Sequence, residues 1–419
     1  MNQISPLTTL TSSEQIRDTA EQFIAHFSQS EPSNAPTSPW KELSEQDKQR
    51  LVNDLKPCEE RSTHSYDDNV LLKGTGYYYM GRGKHHNVWG HQDFPDRVFK
   101  RMDSETALTQ VQVAKATHGF VSKQNPFWCR CPFAEIIELP NSKEVLYVEE
   151  KLHIGMSLNE HDEFWTRIFI HLDSSECSPL FKENLFALVK QINILIEEFG
   201  FWDVGLHNLP EVAYNGTYVC VTDFENIDPN KKSLPDGMRR LASLFCHHSF
   251  QTYFSERYKQ AALEIQSQWE IDNYNQRKTL YGEDCDWINQ PKSPEQLMSD
   301  FHDGVSRGQQ STSAKKEALI AYDQKGWIDG SEQNIPSTFD TKEMTEKQIQ
   351  VAQQLLSKFQ NQLKSDKNEP ITQKRQFYAQ AYSYDCSTEI LAQVMGHLKS
   401  QGILMSWYQS SDDCFTMWF

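Results

Sequence analysis

The chain has 419 residues, a formal net charge of −17 and a pI of about 5.3, with 38% hydrophobic and 12% aromatic residues, an ordinary globular composition and length enough for two or three domains. So acidic a chain lacks the attraction to phosphate backbone that dominates nucleic-acid affinity, and no stretch approaches the roughly 20 apolar residues that span a bilayer. The N-terminal MNQISPLTTLTSSEQ has no signal-peptide pattern, so the protein is expected to be cytoplasmic in the cell that makes it. Nine cysteines in no regular pattern read as reduced thiols.

In chain order, residues 1–40 read as a mobile N-terminal arm, with a short amphipathic helix around Glu14–Phe27 and then SQSEPSNAPTSP, a run too polar to bury itself. From about Val70 the pattern changes to strands and glycine turns, VLLKGTGYYYMGRGKHHNVWG and DRVFKRM. A helix follows in SETALTQVQVAKATHGF. Two strands come next, FAEIIEL and EVLYVEEKLHI, parted by the turn Pro140-Asn141-Ser142. The pair Cys129 and Cys131, with Cys246-His247-His248 further on, lacks the repeated spacing of a zinc site.

The chain then turns helical. Ser178 is a candidate N-cap with Pro179 at the first helical position, apolar residues recur at three and four through LFKENLFALVKQINILIEEF, and Gly200 stops the run. A second helical stretch covers about 236–273. Residues 286–345 loosen into a connector with weak helical stretches. The last part, 346–419, reads as a small α+β module: an amphipathic helix, then strand, helix and a hairpin turning around Ser410–Asp413.

Between these elements lies a series of residues that suits phosphoryl transfer from ATP. That reaction needs backbone around the phosphates, a cation on them, an acid to orient the acceptor hydroxyl and oxygen ligands for a metal. Gly81 and Gly83, followed by Lys84 and Val88, open a glycine hairpin, and Lys100 ends the returning strand. After the long helix, Asp203 precedes Asn208, and Asp223-Phe224-Glu225 follows the strand TYVCVT.

This series resembles the motifs of the protein-kinase superfamily: G-x-G-x-x-G-x-V, the strand lysine, the acid-to-asparagine spacing of H-R-D-L-x-x-x-N, and D-F-G. Departures are His86 for the third glycine, Phe201-Trp202 for His-Arg, and Glu225 for the last glycine of D-F-G. The resemblance implies a bilobal protein-kinase-like α+β fold over residues 65–280, with a strand-rich N-lobe and a helical C-lobe. It implies ATP and Mg²⁺ as cofactors, with Asn208 and Asp223 as the metal ligands. Lys100 and Asp203 would be catalytic, and Gly81, Gly83, Lys84 and Val88 would enclose the nucleotide. Glu105 is carried as the acid that holds Lys100, with Gln110 or Gln112 as substitutes, and Glu149 stands where the chain would pass the adenine.

Only NIDPNKKSLPD joins Asp223 to the next helix, with no A-P-E, so the peptide platform of ordinary protein kinases is missing. The compact chain, the polar N-terminus and the extra C-terminal module resemble kinase-like effectors that pathogenic bacteria secrete into host cells. The expected activity is a Ser/Thr-type kinase acting on a host protein. Two other expectations remain: a small-molecule kinase of aminoglycoside, choline or inositol phosphate type, and a nucleotide-binding pseudokinase scaffold.

Overall fold

Period-two burial and period-3.6 burial divide the chain into a sheet-bearing part, a helical part and a second small sheet, a mixed α+β architecture. The computed structural model describes residues 12–29, 40–59, 75–82, 87–121, 129–152, 158–200, 219–221, 235–282, 290–326, 335–365 and 375–419.

Strands β1 (Tyr77–Arg82), β2 (Asn87–His91) and β3 (Phe94–Asp103) form an antiparallel meander. Helix α3 (Ser104–Val121) follows, then the short β4 (Cys129–Arg130), β5 (Ala134–Glu138) and β6 (Glu144–Glu150). The five-stranded sheet has the order β1-β2-β3-β6-β5, with β6 returning between β3 and β5. Asn141, at φ 61°, takes the left-handed position in the turn between β5 and β6. Successive residues of β6 serve opposite faces. Val145 and Tyr147 pack with Met102 under Ala107, Val111 and Ala114 of α3, while Leu146 and Val148 pack with Phe99 and Ile137 on the other side.

That other side is covered by α2 (Glu45–Glu59), an element with no counterpart in the sequence-based expectations. Its signal is present in the sequence. Ser44 accepts a hydrogen bond from the Asp47 amide at 3.1 Å, and Leu51, Val52 and Leu55 recur at helical spacing against Tyr77 and Phe99.

The helical part is built on α4 (Leu158–Leu172), α5 (Pro179–Phe199), α6 (Pro235–Leu244) and α7 (His248–Ala261). A π-helical turn, Ala262–Gln266, leads into α8 (Ser267–Tyr281), which buries none of its residues. Helix α5 begins and ends as its sequence requires: the Ser178 side chain accepts from the Phe181 amide, and Gly200 caps the other end at φ 68°.

Two expectations need correction here. The N-terminal helix α1 (Ser12–Phe27) does not belong to a mobile arm: Ile16, Ala20, Phe23 and Phe27 are buried in the main core. Phe23 stacks on Phe27 at 4.0 Å and meets Phe164 and Trp165 of α4 edge-on, and Asn184 Nδ2 donates to the Phe27 carbonyl at 2.8 Å. Its four apolar residues recur at helical spacing, so docking releases them from water.

The second correction concerns 286–345. Residues Pro294–Lys325 form α9, a 32-residue helix with a complete capping box between Ser293 and Gln296, and Gly326 at its end with φ 71°. The segment looks polar as a sequence because only one narrow stripe of this helix is apolar. Leu297, Phe301 and Val305 enter the main core, and Ala314, Ala318 and Tyr322 meet the C-terminal sheet. Glycine matters at Gly308, where a Cβ would come within 2.3 Å of the Ser243 carbonyl oxygen, so bare backbone is what lets α9 lie on α6.

The last part contains α10 (Glu346–Ser365), β8 (Gln376–Gln380), α11 (Thr388–Ser400), β9 (Ser406–Gln409) and β10 (Cys414–Trp418), with sheet order β8-β10-β9. The strands, helices and terminal hairpin follow the sequence pattern. Phe415, Met417 and Phe419 are buried within this part. Trp418 faces the other way onto α9, where Tyr322 Oη donates to the Phe419 carbonyl at 3.0 Å.

Candidate functional site

Lys100 lies on β3 directly opposite Tyr147 on β6. Trp89 pairs with Phe99, and both face α2; alternation therefore puts Val88 and Lys100 on the opposite face, together with Tyr147 and Glu149. Val88 also pairs with Gly81 across the β1–β2 ladder, beside a register shift between Tyr79 and Gly81. Gly81, Val88, Lys100 and Glu149 thus belong to adjoining strands of one sheet. Gly83 and Lys84, at the tip of that hairpin, lie outside the described residues.

The Lys100 ammonium stands 3.1 Å from Glu149 Oε2 and 5.8 Å from the Tyr147 ring centroid. The two charged side chains are 23% and 10% exposed, so the pair sits in a partly desolvated recess where a cation keeps access from outside. Glu105, expected to hold Lys100, is exposed in the first turn of α3, where an acid complements the helix dipole. Glu149 occupies that role by contact. Of the two glutamines considered as substitutes, Gln112 is exposed, whereas Gln110 is buried on the stripe of α3 that carries Ala107, Val111 and Ala114.

Two buried polar groups have unused hydrogen-bonding capacity: Gln110 Nε2 and Tyr147 Oη meet no partner among the described residues. Burial pushes the Tyr147 phenol well above its ordinary range, so it stays a neutral donor. Both belong to the packing between α3 and the sheet.

Below this face, β4 pairs in parallel with β7 (Val219–Cys220), and the Val221 amide donates to the Arg130 carbonyl at 2.8 Å. Arg130 makes a buried two-pronged ion pair with Glu150, at 2.6 and 2.8 Å. The strand that leads to Asp223 is therefore tied to β6 one residue beyond the partner of Lys100. Neither Arg130 nor Glu150 stands out in the sequence, because a charged pair shows no periodic signal. Asp203, Asn208 and Asp223 lie outside the described residues.

Comparison with known proteins gives no matching family model, and no curated protein matches the chain.

Cys129 and Cys131 flank Arg130 and are fully buried; burial raises the Cys129 thiol and pushes Cys131 up to about 12. They are inert packing thiols in this state. Among the described residues no group of three or more His, Cys, Asp and Glu side chains comes together in a way that could hold a metal ion. His247 accepts from the Ser249 amide as the cap of α7 and bonds Asp173 at 2.7 Å. No described helix is long and apolar enough to cross a membrane.

Proposed function

We propose that the protein is an ATP-dependent phosphotransferase with a bilobal, protein-kinase-like fold over residues 65–280, in which the five-stranded sheet is the nucleotide-holding lobe. The observation that carries this reading is Lys100 on the third strand, on the same face as Val88 and Glu149, with the helix that follows that strand packed over the same face. Glycine hairpin, strand lysine and covering helix are the order of parts a kinase uses to hold phosphates.

In this reading Lys100 binds the phosphates, with Gly81, Gly83, Lys84 and Val88 enclosing the nucleotide. Glu149 takes the place of the helix acid and positions the lysine. Asp203 orients the acceptor hydroxyl and accepts its proton. Asn208 and Asp223 offer the oxygen ligands that a hard cation prefers, and Mg²⁺ would neutralise charge on the transferring phosphoryl group. The leading acceptor is a Ser or Thr hydroxyl of a protein, including one in a host cell that receives the protein by secretion. Residues 222–234 leave little chain for a peptide platform before α6 begins at Pro235, and this favours a small-molecule acceptor as the second reading.

Thermal unfolding with ATP and Mg²⁺ tests the site. Binding to the native state raises the Tm of the wild type. Lys100→Met and Asp223→Ala, each compared with its own ligand-free Tm, lose most of the rise. Equal rises in all three proteins would remove both residues from the nucleotide site.

A further inference from the structure

A second cavity, half open and of about 300 Å³, lies away from Lys100, lined by α4, α6, α9 and the β9–β10 hairpin. We propose that it binds a small organic phosphate, of about the size of glycerol phosphate.

The volume is at the lower end of ligand pockets. Its charged lining residues are Arg307, Lys315 and Asp162, a net single positive charge in a chain of −17. Lys315 is matched by Asp162 at 2.8 Å. Arg307 has no ion pair among the described residues, and its planar fork suits a phosphate.

Trp165 closes the floor of the cavity as a fully buried ring. Ser243 and Ser410 already donate to the carbonyls of Arg240 and Cys414, while Ser311 adds a hydroxyl to the wall. Donors with one excess positive charge select an acceptor-rich anion. Gly304 and Gly308, one turn apart on α9, lie where that helix packs on α6. Tyr408 and Ser410 come from the C-terminal sheet and the rest from the helical part, so an occupant touches both.

Calorimetric titration of the full chain with glycerol 3-phosphate and with inorganic phosphate, against glycerol and chloride at matched ionic strength, tests the proposal. Saturable one-to-one binding of glycerol 3-phosphate is expected, weakened about tenfold or more in Arg307→Gln, the scale of a charge-assisted hydrogen bond. Arg307 is exposed, so its replacement leaves the fold intact. Lys100→Met separates the two sites: it leaves this binding unchanged even if the nucleotide reading fails. The proposal is overturned by no saturable binding of either phosphate, by equal affinity in Arg307→Gln, or by loss of binding in Lys100→Met.

Discussion

Lys100 and Glu149 stand on neighbouring antiparallel strands with Nζ 3.1 Å from Oε2, and the residue after Glu149 grips Arg130, whose strand β4 pairs in parallel with β7, the strand before Asp223. One strand end thus links the candidate phosphate-binding cation to the strand before a candidate metal ligand. If the pair positions phosphates, Lys100→Met and Glu149→Gln each lower phosphoryl transfer, the lysine change by roughly two or more orders of magnitude. Lys143→Ala, at an exposed turn, leaves the rate unchanged. Initial rates with the three purified variants check this.

The Arg130–Glu150 pair is buried on both sides, so breaking it strands one charge. Glu150→Gln is expected to cost on the order of 3–5 kcal/mol in urea unfolding. The double change Arg130→Met with Glu150→Leu costs less than either single change, since no charge is left without its partner. A double change that costs the sum of the two would show that the residues act independently.

Acid should destabilise the fold in a defined window. Burial, with Arg130 nearby, lowers His118 from 6.5 to about 4, and burial also lowers His91, His171 and His247. A histidine held neutral in the fold is protonated first in the unfolded chain. Stability contributed by His118 is therefore complete above pH 6.5 and falls as pH drops towards about 4, where the loss levels off. Its share is on the order of 1–3 kcal/mol. Tm measured from pH 7 to pH 4 should fall less steeply in His118→Phe, which keeps the stacking on Phe133 at 4.0 Å.

Two glycines inside helices should respond oppositely to alanine. Gly308→Ala puts a methyl within 2.3 Å of the Ser243 carbonyl and 2.7 Å of Cys246 Sγ, so α9 must move off α6, at a cost of about 1–3 kcal/mol. Gly396 in α11 has nothing within 4 Å of its would-be Cβ. Gly396→Ala should add about 0.5–1 kcal/mol through helix propensity. Urea midpoints of both variants measure the contrast.

Much of this arrangement was legible in the sequence because local signals decided it. The Ser178 cap, the Gly200 stop, the Asn141 turn and the terminal hairpin depend on short-range chemistry, and each appears as expected. What escaped was decided at long range. Helix α9 reads as loose because its buried stripe is Leu297, Phe301, Val305, then alanines, diluted by Ser, Gln and Lys on its wide exposed side. Helix α1 reads as an arm because nothing local shows that Phe23 and Phe27 meet Phe164 and Trp165. For the candidate site, Lys100 and Val88 could be placed by strand alternation, but the lysine's partner could not. Glu105 and Glu149 are equally acidic in the sequence, and only the pairing of β3 with β6 brings Glu149 to the lysine.

The central claim, transfer of a phosphoryl group from ATP, is tested most directly by incubating the full chain with γ-labelled ATP and Mg²⁺, alone and with eukaryotic cell lysate, and following the label. The account predicts label on a protein hydroxyl, or on a small molecule under the second reading, at a rate lowered by roughly two or more orders of magnitude in Asp203→Ala. Label on no acceptor in either mixture, or wild-type transfer by Asp203→Ala, would contradict it.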